Sequence, residues 1–147
     1  MPKKKEENHI NFGWIFRTVL VVIGLLIIGA AVFFVFTTRI KAKQALRDAK
    51  NVYLALTTTE IEYYASGKTI YDPVRANGLA SGVADRVKNL VDNEGSYKIL
   101  SFDQATHRIH VLEYQNGRYY VLYYGNGDRN VWEVSYRMPI YHFDDID

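Results

Sequence analysis

The sequence predicts an α+β fold in which one long N-terminal helix, transmembrane and then amphipathic, packs on a small antiparallel β-meander of about four strands. Three observations predict it. The run 18–38 is apolar and uncharged; a helix-period apolar stripe follows it with no Gly or Pro before Ser66; and four β-branched and aromatic runs after Gly95 are joined by turn residues.

The apolar run TVLVVIGLLIIGAAVFFVFTT holds about 21 residues, which at about 1.5 Å per residue matches a hydrocarbon core of about 30 Å. It exceeds the roughly 7 to 15 apolar residues of a cleaved signal peptide, and no small-x-small site follows Phe36. It is also apolar on every face, unlike a helix covering a soluble core. Lys3, Lys4, Lys5 and Arg17 precede it, and Arg39, Lys41, Lys43, Arg47 and Lys50 follow, so the positive-inside tally nearly ties. The short basic tail ahead of a first hydrophobic segment reads as a signal-anchor with its N-terminus in the cytoplasm. The expected organisation is a basic leader or cytoplasmic tail over 1–17, a membrane helix over 18–38, an amphipathic helix over 39–66 and a small extracytoplasmic α+β domain over 67–147.

Past Arg39, the residues Ala42, Ala45, Leu46, Ala49, Val52, Tyr53, Leu56 and Tyr63 recur at helical spacing, with Lys41, Lys43, Arg47, Asp48 and Lys50 between them. Gly67 is the expected C-terminal cap. Asp72-Pro73 and Asn77-Gly78 mark 68–82 as a loop. Leu79, Val83, Val87, Leu90 and Val91 mark a short amphipathic helix that ends before Asn93-Glu94-Gly95. Strands are expected over 97–102, 108–114, 118–124 and 131–136, with Asn116-Gly117 as a two-residue hairpin turn and 125–130 as the last link. In the final strand Trp132, Val134 and Tyr136 form the inward face. The third strand, RYYVLYY, is apolar on both faces, which requires the long helix on one side and a loop or a neighbouring molecule on the other.

Composition narrows the function classes. With 48% hydrophobic residues, 12 Tyr and 7 Phe in 147 residues, the chain can fill a small core without disulfides. The absence of cysteine removes thiolate metal sites, Cys nucleophiles and redox motifs. A formal charge of +2 offers no basic face for nucleic acid.

The residues able to do chemistry have blander readings. In a strand, Arg108, His110 and Leu112 share one face and His107 and Ile109 the other, so the two imidazoles point apart and read as surface residues. Glu60 and Glu62, two apart on a helix, face different directions and read as surface charges. The C-terminal His142, Asp144, Asp145 and Asp147 are oxygen-rich enough for calcium, but read first as an acidic tail. GNGDRN lacks the terminal Glu of an EF-hand and reads as a turn. Tyr119, Tyr120, Tyr123, Tyr124, Tyr136 and Tyr141 supply core and strand surface, with a partner-binding face as the sharper alternative. Gly24 and Gly29 miss the small-xxx-small spacing. No catalytic, cofactor or metal site emerges, and no small-molecule substrate is expected.

The basic leader, the apolar helix continuing into an amphipathic half, the loop and the antiparallel meander together resemble the architecture of type IV pilin-like and pseudopilin-like proteins. The stretch AKNVYLALTTTEIEYYASGK has the helix-to-loop character of that family. The resemblance implies a leader-processing junction at Gly13 and Trp14, and a structural role in a type IV pilus-like or type II secretion-like system. It also implies identical or related pilin-like subunits as partners beside membrane lipid. The family's Glu at the fifth mature position is absent: Thr18 stands there, after Arg17. A membrane-tethered binding or sensing domain that never polymerises is the alternative expectation.

Overall fold

The computed structural model describes residues 12–126 and 129–136. The chain forms two compact units, Met1–Arg39 and Ile40–Asp147. Helix α1, Phe12–Ala65, contributes to both.

In the first unit α1 exposes its apolar side chains all round, from Trp14 to Phe36. The hydroxyls of Thr18, Thr37 and Thr38 donate to backbone carbonyls three or four residues earlier at 2.8–3.0 Å, so they add no unsatisfied donor to the apolar surface. Among the described residues this is one helix long and apolar enough to cross a membrane.

In the second unit α1 turns amphipathic as the stripe predicts: Ala45, Ala49, Val52, Ala55 and Leu56 are buried, and Lys43, Arg47 and Lys50 are exposed. The helix ends in a Schellman motif. Lys68 N–H reaches the Tyr63 carbonyl and Gly67 N–H the Tyr64 carbonyl, both at 2.9 Å, with Gly67 at φ 70°.

The loop after α1 is pinned to the core. Tyr71 bridges Leu79, Ala80 N–H donates to the Ile70 carbonyl, and Ile99 N–H donates to the Asn77 carbonyl at 3.0 Å. Gly78 permits the last approach, since its φ is +67° and a Cβ there would meet the Ile99 carbonyl. Helix α2, Val83–Leu90, is shorter than the apolar spacing predicts. Val83 and Val87 enter the core as expected, but Leu79 belongs to the bridge, Leu90 is exposed and Val91 is already extended.

Strands β1 (Ser96–Asp103), β2 (Arg108–Asn116), β3 (Tyr119–Asn126) and β4 (Arg129–Tyr136) form an antiparallel meander in the order β1-β2-β3-β4. Two details depart from the sequence reading. The β2–β3 pairing closes at Asn116↔Tyr119, so Gly117 and Arg118 are the turn residues; Gly117 at φ 59° occupies the first central position, as a type II′ turn requires. The β1–β2 ladder also slips twice, once past Leu100 and once past His110. Each bulge flips the parity of its strand. Ile109 and Leu112, expected on opposite faces, are both buried.

The inner sheet face packs on α1. Tyr123 lies over Tyr53 with ring centroids 4.4 Å apart, and Trp132 meets both rings. Val134 and Tyr136, expected inward, remain more than a third exposed at the edge of the sheet. The outer face presents Leu100, Val111, Leu122, Tyr124 and Val131 with no element of the described chain across it.

Candidate functional site

The most chemically distinctive cluster is one that residue spacing did not indicate. Glu60 sits on the core side of α1, next to Leu56 and Thr59, and is only 4% exposed. Its two oxygens divide their work. Oε2 accepts the Ile70 N–H at 2.8 Å and lies 3.5 Å from the Thr69 hydroxyl, while Oε1 lies 2.7 Å from His107 Nδ1. A carboxylate only accepts, so Nδ1 is the donor.

The β1–β2 connection delivers the imidazole. Asp103 Oδ1 accepts the Ala105 and Thr106 N–H groups, and Oδ2 takes the Thr106 hydroxyl. These bonds, the Thr106 hydroxyl first, hold the Asp103 carboxyl below the usual carboxylate range. The tightened turn places His107 at φ 53°, the single non-glycine residue in the left-handed region among those described. His107 therefore precedes β2, contrary to the expectation that it lies in the strand as a surface residue. Tyr64 packs on the ring at 4.4 Å between centroids.

This arrangement clamps three segments, α1, the 69–70 loop and the β1–β2 turn, around one buried carboxylate. The Thr69 hydroxyl lies beside Glu60 Oε2 and the Thr106 hydroxyl is engaged by Asp103, and no group of three or more potential metal ligands occurs among the described residues. His110 Nε2 lies 3.8 Å from Asp103 Oδ2. Glu62 is a surface charge, as predicted, and it forms a two-pronged pair with Arg86 at 2.8 and 3.0 Å. That bond lowers the Glu62 pKa.

Searches against family models, curated proteins and solved structures return no match to this chain.

Gly13 and Trp14, the expected processing junction, lie in the first turn of the described helix; Trp14 is 71% exposed and a Cβ on Gly13 would meet nothing within 4 Å. His142, Asp144, Asp145 and Asp147, with Tyr141 and with Gly127 and Asp128 of the GNGDRN turn, fall outside the described residues. Of the tyrosines, Tyr123 is buried, and its hydroxyl lies 3.1 Å from Tyr53 and 2.9 Å from Asn130 Oδ1. Burial, then the bond with Tyr53, pushes its pKa far up. Tyr114 is wholly buried, its hydroxyl without a geometric partner, and burial raises its pKa despite the pull of nearby Asn116 and Gly95. A Cβ at Gly95 would strike the Tyr114 ring and hydroxyl, so glycine is the residue that lets this tyrosine approach the backbone there.

Proposed function

We propose that this chain is a non-catalytic, membrane-anchored subunit of pilin-like or pseudopilin-like type, with a structural or assembly role and no cofactor. One observation carries the reading: a single helix, Phe12–Ala65, is fully exposed and apolar over its first half and, over its second, becomes the spine of a four-stranded antiparallel domain. An exposed apolar surface of this extent requires lipid or other helices as its solvent. Its N-terminus lies in the cytoplasm and the sheet domain outside. The Glu60–His107 contact supports the same reading, because it stabilises the joint between helix and sheet.

Recovery from native membranes tests the proposal. The chain should appear in a sheared filament fraction or with a secretion-type assembly. Recovery solely as a detergent-solubilised monomer would reject it.

A second reading, a tethered binding domain that does not polymerise, is favoured by the absence of a Glu after Gly13 and by the uncovered outer sheet face. Under it, replacing Tyr124 and Leu122 with Ser would abolish partner capture without unfolding the domain. Unchanged capture would exclude it.

A further inference from the structure

The sheet runs alongside α1, and three contacts fix its level. A cleft of about 460 Å³ brings Lys41 and Ala45 to Asn116, Tyr119 and Tyr136. Tyr53 meets Tyr123, and Glu60 meets His107. Residues on the outer sheet face can therefore be placed against positions on the helix.

From the Ile40 end toward Ala65, the outer sheet face carries the row Gln115–Tyr120–Ser135, then Glu113–Leu122–Glu133, then Val111–Tyr124–Val131. Its character passes from polar, through acidic, to apolar. Lys98, opposite Glu113, offsets part of the negative charge.

The outer face of α1 follows a matching order. Lys43 and Arg47 are exposed on the Ile40 side of the acidic row, Lys43 at the level of the cleft, and Leu54 and Ile61, 61% and 67% exposed, lie at and beyond the level of the apolar row. Between them, the hydroxyls of Thr57 and Thr58 donate to the Tyr53 and Leu54 carbonyls at 2.9 Å. Their methyl groups are what remains for the surface.

We propose that a second copy of this chain docks the outer face of its sheet on the outer face of α1, with the two helices parallel. With the sheet shifted along the helix, Glu113 and Glu133 of one copy then meet Arg47 of the other, with Lys43 flanking it, and Tyr124 and Val131 meet Leu54. Charge complementarity selects this pairing over the symmetric ones. Parallel helices back to back would set Lys43 and Arg47 against themselves, and parallel sheets face to face would set Glu113 and Glu133 against themselves. Because each copy carries both surfaces, the contact is heterologous and can repeat. Chains that stay permanently anchored satisfy it as well as processed ones, so it goes beyond the filament reading.

The cysteine-free sequence allows a direct test with the full-length chain in lipid vesicles. Leu54→Cys on one copy and Tyr124→Cys on a differently tagged copy should give, on oxidation, a mixed disulfide several-fold more abundant than the Leu54→Cys self-link. It should also exceed links to a Val74→Cys control at a more accessible loop position, 92% exposed. E113K with E133K on the Tyr124→Cys copy should cut the mixed product several-fold, and K43E with R47E on the other copy should restore it, all variants keeping the parent unfolding midpoint. Self-links equal to mixed links, no link above the control, or a yield indifferent to the charge exchange would overturn the proposal. Leader processing and filament recovery are read on unoxidised material, so their failure is distinct from failure of this contact.

Discussion

The Glu60 carboxylate and the His107 imidazole, 47 positions apart in sequence, lie 2.7 Å apart and join the spine helix to the turn at the start of β2. The same carboxylate holds the Ile70 N–H. Its removal leaves a buried donor and a strained turn without their common partner. Glu60→Ala should cost about 2 to 3 kcal/mol, read as a shifted denaturant midpoint with unchanged slope. His107→Ala should cost less, since the Ile70 bond survives, and the double variant should fall short of the sum by about 1 kcal/mol. Additive losses would mean that the contact contributes nothing of its own.

Gly78 and Gly117 both have φ near +60°, at 67° and 59°, but differ in what surrounds them. Gly117→Ala meets nothing within 4 Å and should cost about 1 kcal/mol for the backbone conformation alone. At Gly78 the added Cβ meets the Ile99 carbonyl and drives the loop off β1, so Gly78→Ala should cost about 2 to 4 kcal/mol. Thermal unfolding of the two variants in parallel measures the difference.

Leu54 and Leu56 stand two residues apart on one helix, at 61% and 0% exposure. Leu56→Ala should lose about 3 kcal/mol through the cavity it leaves. Leu54→Ala should stay within about 0.5 kcal/mol in dilute detergent. A large loss at Leu54 under those conditions would place a covering element over it that the fold does not contain.

Alkaline stability should be governed by buried phenols. The pKa of Tyr123 is raised above the ordinary value by burial and by the bond with Tyr53, and burial raises those of Tyr114 and Tyr97. In the unfolded chain these groups ionise near pH 10, while in the fold they hold their protons. The unfolded state then binds fewer protons, so stability is fully present below about pH 10 and falls as pH rises above it. Ultraviolet titration should find fewer phenols ionising near the normal value than the chain contains. Tyr53→Phe should bring one of the late ones closer to normal.

Much of the architecture was legible in the residues. Apolar length, the shift to helical period after Arg39, Gly67 and the four aromatic runs each reflect local physics, and each element forms where that physics places it. What was not legible depends on distant partners. The parity of β1 changes at a bulge at Leu100 and that of β2 at a bulge at His110, and no residue type announces a bulge there. Glu60 reads as one surface charge among several, because its burial is set by a histidine that reaches it through a left-handed turn. The one available signal was position: Glu60 falls beside Leu56 and Tyr63 on the apolar stripe, where an unpaired acid would be costly. Leu90 errs in the other direction, apolar at helical spacing yet exposed because α2 ends there.

The most direct test of the proposed assembly role is the N-terminus of the protein in its native membrane, read by intact mass and N-terminal peptide analysis. A chain beginning at Trp14 is the predicted result, meaning that the junction after Gly13 is processed despite Thr18 in place of the usual Glu. A chain still carrying Met1 or Pro2 would contradict it and leave α1 as a permanent anchor for a tethered domain.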